Sequence, residues 1–135
     1  MNRKVFVVDD DKQDIELLKS AFEEHNIVYE IKEFYNGVDL LDYISDNPVE
    51  IPHYIITDFK MPLLDGIQTT QKMRMHASFQ NIPVVMLSTS NLHGDIENAY
   101  KGGINNYISK PTNYSGWLST TMNIDRWVER WYQTV

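Results

Sequence analysis

Short apolar runs alternate along this chain with longer amphipathic stretches, and that alternation predicts its layout. Lys4 to Val8 is a compact run with three valines and reads as a buried strand. From Asp11 to His25, Ile15, Leu17, Leu18, Ala21 and Phe22 fall on one helical face. Asp11 can cap that helix, and Asp14 lies in its first turn, where the helix dipole favours a negative charge. Tyr29 to Phe34 alternates loosely as a strand. Val38, Leu41, Tyr43 and Ile44 predict a short helix that stops before Asn47-Pro48. His53 to Thr57 is a third apolar run, and Ile67 to Met75 a helix preceded by Asp65-Gly66. Pro83 to Leu87 is the fourth run, and Leu92 to Tyr100 a helix ended by Gly102-Gly103. Asn105 to Ser109 is the fifth strand candidate, and a final helix spans roughly Tyr114 to Trp131.

Five strands alternating with five helices predict a three-layer α/β domain with a mainly parallel sheet. Val5–Val8, Tyr54–Thr57 and Val84–Leu87 are continuously apolar, as strands covered on both faces are. No repeat, linker or low-complexity tract interrupts the pattern. The 135 residues fit a single domain over 1–135, long enough for one hydrophobic core without metals or crosslinks.

Composition narrows the function. Cysteine is absent, which excludes disulfides, thiol nucleophiles and Cys-ligated metals and is compatible with a reducing cytoplasm. The apolar run after Met1-Asn2-Arg3-Lys4 is too short for a signal-peptide core, and no stretch approaches the roughly 18 apolar residues of a membrane helix. A cytoplasmic protein without membrane contact is therefore expected. The net charge of −7 argues against direct nucleic-acid binding and suits a cation site or a partner with a basic face.

In parallel sheets ligands bind beyond the carboxyl ends of the strands. The first strand ends in Asp9-Asp10-Asp11, the third in Asp58, the fourth in Ser88-Thr89 and the fifth in Lys110-Pro111. All four points fall on one edge. Taken singly, each is a cap, turn or surface residue, and capping is the first reading of Asp11. Together they crowd carboxylates, and a like pair at about 4 Å costs about 4 kcal/mol at an effective dielectric near 20. A hard cation such as Mg2+, which takes oxygen ligands, would offset that cost, with Lys110 as a second positive charge. A carboxylate so placed can attack a phosphoryl group as a nucleophile. His25, His53, His76 and His93 lack metal-ligand spacing and are read as incidental.

Four blocks now stand in order at strand ends: Val7-Val8-Asp9-Asp10, Thr57-Asp58-Phe59-Lys60-Met61-Pro62 with Asp65-Gly66, Leu87-Ser88-Thr89, and Tyr107-Ile108-Ser109-Lys110-Pro111. They resemble the signature blocks of bacterial response-regulator receiver domains, over residues 4 to about 125. The subtype resembled is the stand-alone receiver, similar to the chemotaxis regulator and to the small regulators paired with bacterial phytochromes. The resemblance implies a flavodoxin-like strand order, 2-1-3-4-5. It also implies a role for each matching residue. Asp58 is the phosphoacceptor. Asp10 and Asp9 are metal acids, and Lys60 offers a backbone carbonyl to Mg2+. Ser88 and Tyr107 are the switch pair, Lys110 contacts the phosphoryl group, and a cis bond precedes Pro111.

Some positions depart from the family's commonest pattern. Thr112 stands where a bulky apolar residue is frequent, and Ser90 where many members carry a charge that tunes dephosphorylation. Ile124, Trp127, Val128 and Trp131 form a helical stripe that reads as packing on the domain itself or as an interaction surface.

The expectation is a phosphoacceptor switch in two-component signalling or a phosphorelay, with self-catalysed phosphotransfer and autodephosphorylation rather than enzymatic turnover. Its donor is a histidine kinase or phosphotransfer protein and its output a protein target, with a homodimer through the last helix as an option. A Mg2+-dependent phosphohydrolase with an aspartyl nucleophile is the rival from another class. Such an enzyme usually needs an acid two residues past the nucleophile, where Lys60 follows Asp58 and Lys12 follows Asp10. A receiver-like module that ignores phosphate is opposed by the intact set Asp9, Asp10, Asp58, Ser88 and Lys110. The chain could also be part of a longer regulator.

Overall fold

The computed structural model describes residues 3–134. Five strands, β1 (Arg3–Val8), β2 (Tyr29–Phe34), β3 (Tyr54–Asp58), β4 (Val84–Ser88) and β5 (Asn106–Ser109), alternate with five α-helices. These are α1 (Lys12–Glu24), α2 (Gly37–Asp46), α3 (Gly66–Met73), α4 (His93–Lys101) and α5 (Tyr114–Thr134). All strand pairs are parallel, in the order β2-β1-β3-β4-β5. The expected architecture and order are both present.

The helix starts follow from local chemistry. Asp11 caps α1 by accepting from the backbone N–H groups of Gln13 and Asp14. Asn36 caps α2, and Asp65 with Gln68 forms a reciprocal capping box on α3. Gly103 turns out of α4 at φ +105, a conformation that side chains disfavour.

The sheet is covered on both faces. Val5, Val7, Tyr54, Ile56, Val85 and Leu87 pack on one side against α1 and α5, chiefly Ile15, Leu18, Phe22, Ile124 and Val128. Phe6, Val8, Ile55, Val84 and Met86 pack on the other against Leu40, Ile44, Met73 and Ala99. Ile124 and Val128 have no exposed surface, and half-buried Trp127 lies against the same cluster, with its ring 5.5 Å from that of Trp131. Most of the aromatic stripe is thus spent on the domain's own core.

Two histidines read as incidental are tied into this packing. The ring of His25 bonds the Leu118 carbonyl at 2.7 Å, and His53 accepts from the Lys4 N–H at 2.9 Å.

The register aligns the functional edge. Val8 pairs with Thr57 and Phe34, Asp58 with Leu87, and Ser88 with Ser109. The residues that follow these pairs therefore emerge side by side. Gly66 fixes the start of α3 against that edge. Its N–H bonds the Phe59 carbonyl at 2.7 Å, and a Cβ there would lie 2.2 Å from the Asp58 carbonyl oxygen.

At the opposite edge Arg74, just past α3, ties three segments together. Its guanidinium donates to the carbonyls of Phe79 (2.8 Å), Ile82 (2.5 Å) and Gly103 (2.8 Å) and to Asn105 Oδ1 (2.9 Å). Burial holds its pKa below the ordinary arginine value. The 3-10 turn Ala77–Phe79, not foreseen from the sequence, is held by one of these bonds.

Candidate functional site

Asp9 leaves β1 almost fully buried, and its Oδ1 accepts from the Asp11 N–H at 2.9 Å. That bond turns the chain into α1 while aiming the other oxygen at the cleft. Asp58 ends β3, and its Oδ1 accepts from the Phe59 N–H at 2.9 Å. Asp10 is exposed at the mouth. One carboxylate oxygen from each of Asp9, Asp10 and Asp58 lies within 4.8 Å of the others. The cleft has a volume of about 290 Å³, and Asp10, Asp58, Lys60, Ser88 and Lys110 line it. The residues expected at the site are therefore gathered there, with Tyr107 placed one step behind.

Lys110 crosses this cluster from the end of β5. Its Nζ lies 2.9 Å from Asp9 Oδ2, 2.7 Å from Asp14 Oδ2 and 3.5 Å from Asp58 Oδ1. Burial opposes its charge, but the bonds to Asp14 and Asp9 and the field of Asp58 outweigh burial and raise its pKa. One ammonium does not neutralise the acids around it. Burial, and then the charge of Asp9, pushes the Asp58 carboxyl up to about 7. Burial also raises Asp9, against the Asp11 N–H and Lys110.

The donor set fits a hard divalent cation. It offers three carboxylate oxygens within one coordination sphere's reach, held at a residual charge that a cation would relieve. Lys60 sits exposed at the rim, its ammonium 4.1 Å from the centroid of the Phe59 ring rather than among the carboxylates.

Ser88 is buried at the end of β4, and its Oγ accepts from the Ser90 N–H at 3.0 Å. The Ser90 carbonyl accepts from the Tyr107 hydroxyl at 2.6 Å. Ser90 Oγ donates to Asp95 at 2.5 Å, fastening the loop to α4. One residue thus joins Ser88 to Tyr107, the two positions expected to form the switch pair.

The Lys110–Pro111 peptide is trans, where the resemblance implied cis. Trans is the lower-energy isomer of an X-Pro bond by about 0.5–1 kcal/mol. The contact of Asp14 with Lys110 was also missed. Position 14 was read for its helix dipole alone, although it lies three residues past the cap, on the turn that overhangs the strand ends.

The sequence profile of the response regulator receiver domain matches residues 5–119. The chain belongs to the response-regulator receiver family. This receiver is 31% identical over 110 residues to a chemotaxis protein CheY homolog of Campylobacter jejuni, covering 80% of this chain and 81% of the relative. The crystal structure of the phosphorylated cyanobacterial phytochrome response regulator RcpA superposes at TM-score 0.84 and 28% identity, covering 93% of this chain and 92% of that one. The manganese-bound form of response regulator Rcp1 shares the fold at TM-score 0.83 and 23% identity, covering 98% of this chain and 96% of that one. The receiver family read from the sequence is borne out, as is the likeness to chemotaxis and phytochrome regulators, and with them a place among the phosphoacceptor proteins of two-component signalling. No helix among the described residues is long and apolar enough to cross a membrane.

Proposed function

We propose that Asp58 accepts a phosphoryl group from a histidine kinase or phosphotransfer protein in the cytoplasm and so switches a protein-interaction surface. The observation that carries this reading is the convergence of Lys110 and three carboxylates on one open cleft. An Asp58 oxygen forms the new O–P bond as the P–N bond of a donor phosphohistidine breaks. Lys110 meets the charge spreading over the phosphoryl oxygens. Asp9, Asp10, Asp58 and the main chain of Lys60 would hold Mg2+, which would supply the remaining positive charge when bound. Hydrolysis of the aspartyl phosphate by water resets the switch, so the domain is a substrate with built-in catalytic groups.

Readout runs through Ser90. A phosphoryl oxygen recruits the Ser88 hydroxyl, the bond from the Ser90 N–H to Ser88 Oγ is lost, and the loop shifts the carbonyl that holds Tyr107. The shift requires only that the phosphoryl group bind one arrangement better than the other. The output is a protein contact. A homodimer through α5 would use the half-buried Trp127 and Trp131.

The metal assignment separates two neighbouring acids. Asp10 shares the carboxylate cluster, whereas Asp11 is committed to the N-terminus of α1. Asp10→Ala is expected to weaken Mg2+ binding at least about tenfold, by removing a carboxylate ligand, and Asp11→Ala by less than about threefold, the effect of an exposed charge that is not a ligand. A Mg2+ titration of the two variants checks this, and equal affinities contradict it.

A further inference from the structure

Asp14 has no part in the mechanism so far, yet it makes the shortest contact of Lys110, 2.7 Å to Oδ2. An ammonium has three N–H donors. Lys110 faces three acids, and the contact to Asp58, at 3.5 Å, is the longest of the three. The ammonium is therefore drawn to the Asp9–Asp14 side of the cleft. A phosphoryl group on Asp58 must pull it back, stretching or breaking the pair with Asp14.

We propose that Asp14 is a positioning residue that holds Lys110 away from Asp58 in the unphosphorylated receiver and so sets the affinity of the site for a phosphoryl group. The proposal rests on Lys110 as the phosphoryl contact. Its physical content is competition: a site whose lysine is free only part of the time binds more weakly by that fraction. Asp14 is part-exposed on the first turn of α1, so changing it leaves the core intact.

The test is a titration with beryllofluoride, a phosphoryl mimic, at saturating Mg2+, followed by fluorine NMR. Asp14→Asn removes the charge in nearly the same shape and is expected to bind the mimic about three- to fivefold more tightly, the upper part of the range for a part-exposed ion pair. Asp14→Glu keeps an anion within reach of Lys110 and is expected within about twofold of the wild type. Asp11→Asn deletes another charge lining the cleft that forms no ion pair with Lys110, keeps a capping side chain, and is also expected within about twofold.

Wild-type affinity in Asp14→Asn overturns the proposal. Equal tightening in Asp11→Asn also overturns it, by showing a general charge effect, and so does tightening in Asp14→Glu. If the wild type fails to bind the mimic, the phosphoacceptor reading falls as well. Normal wild-type binding with an unresponsive Asp14→Asn leaves that reading standing and removes only this one.

Discussion

In the absence of divalent metal at pH 8, Asp58→Asn is expected to unfold at higher denaturant than the wild type, by about 2 kcal/mol after discounting for the open side of the cleft. The cause is burial and then the charge of Asp9, which together hold the Asp58 carboxyl up to about 7. Its ordinary value is 3.8. Between these two values the folded protein binds a proton that the unfolded chain does not, so wild-type stability falls as pH rises through this window. Above about 7 the cost of the ionised carboxylate is fully present, and below about 4 it is gone. Asparagine does not titrate. Its advantage should therefore be complete at pH 8, shrink from about pH 7 downward, and vanish near pH 4. Mg2+ should also narrow it, because a ligand of the folded wild type adds stability by mass action. Urea melts with chelator at pH 8, 6 and 4, and with Mg2+ at pH 8, check each limb. An Asn variant less stable than the wild type at pH 8 would contradict the account of a charge-strained site.

Arg74→Ala is expected to cost about 3–5 kcal/mol, the largest loss of stability from a single change proposed for this receiver. The guanidinium satisfies three backbone carbonyls and the Asn105 side chain, and Asn105 in turn accepts from the Val84 N–H at 2.8 Å. Truncation leaves those carbonyls without their donor and loosens the entry to β4 and the turn into β5. Arg74→Lys should recover little, since one ammonium cannot span four acceptors set out for a planar fork. Equilibrium urea unfolding decides the matter. A loss under about 1 kcal/mol for Arg74→Ala would show that these bonds are replaced by water at no cost.

These two residues mark what the chain reveals and what it withholds. The strands were legible because both faces of the central ones are buried, leaving unbroken runs such as Val84–Leu87 between polar punctuation. Asp9, Asp10, Asp58, Ser88 and Lys110 were legible because topology alone sends every strand end of a parallel sheet to one edge. Arg74 was not, because its partners are main-chain carbonyls, which every residue carries and no sequence pattern marks. Asp14 was passed over for a related reason. A carboxylate in a first turn has a sufficient local explanation, and only the reach of a lysine 96 positions away, seen in the folded chain, adds another. The stripe of Ile124, Trp127 and Val128 shows the reverse case, where helical spacing was clear but the partner was the domain's own core.

The most direct test of the central claim is the intact mass of the protein after treatment with acetyl phosphate and Mg2+. The wild type should gain about 80 Da, one phosphoryl group, on Asp58, and Asp58→Asn should gain nothing while remaining folded. An undiminished adduct on the Asp58→Asn protein would place the phosphoryl group elsewhere and contradict the account.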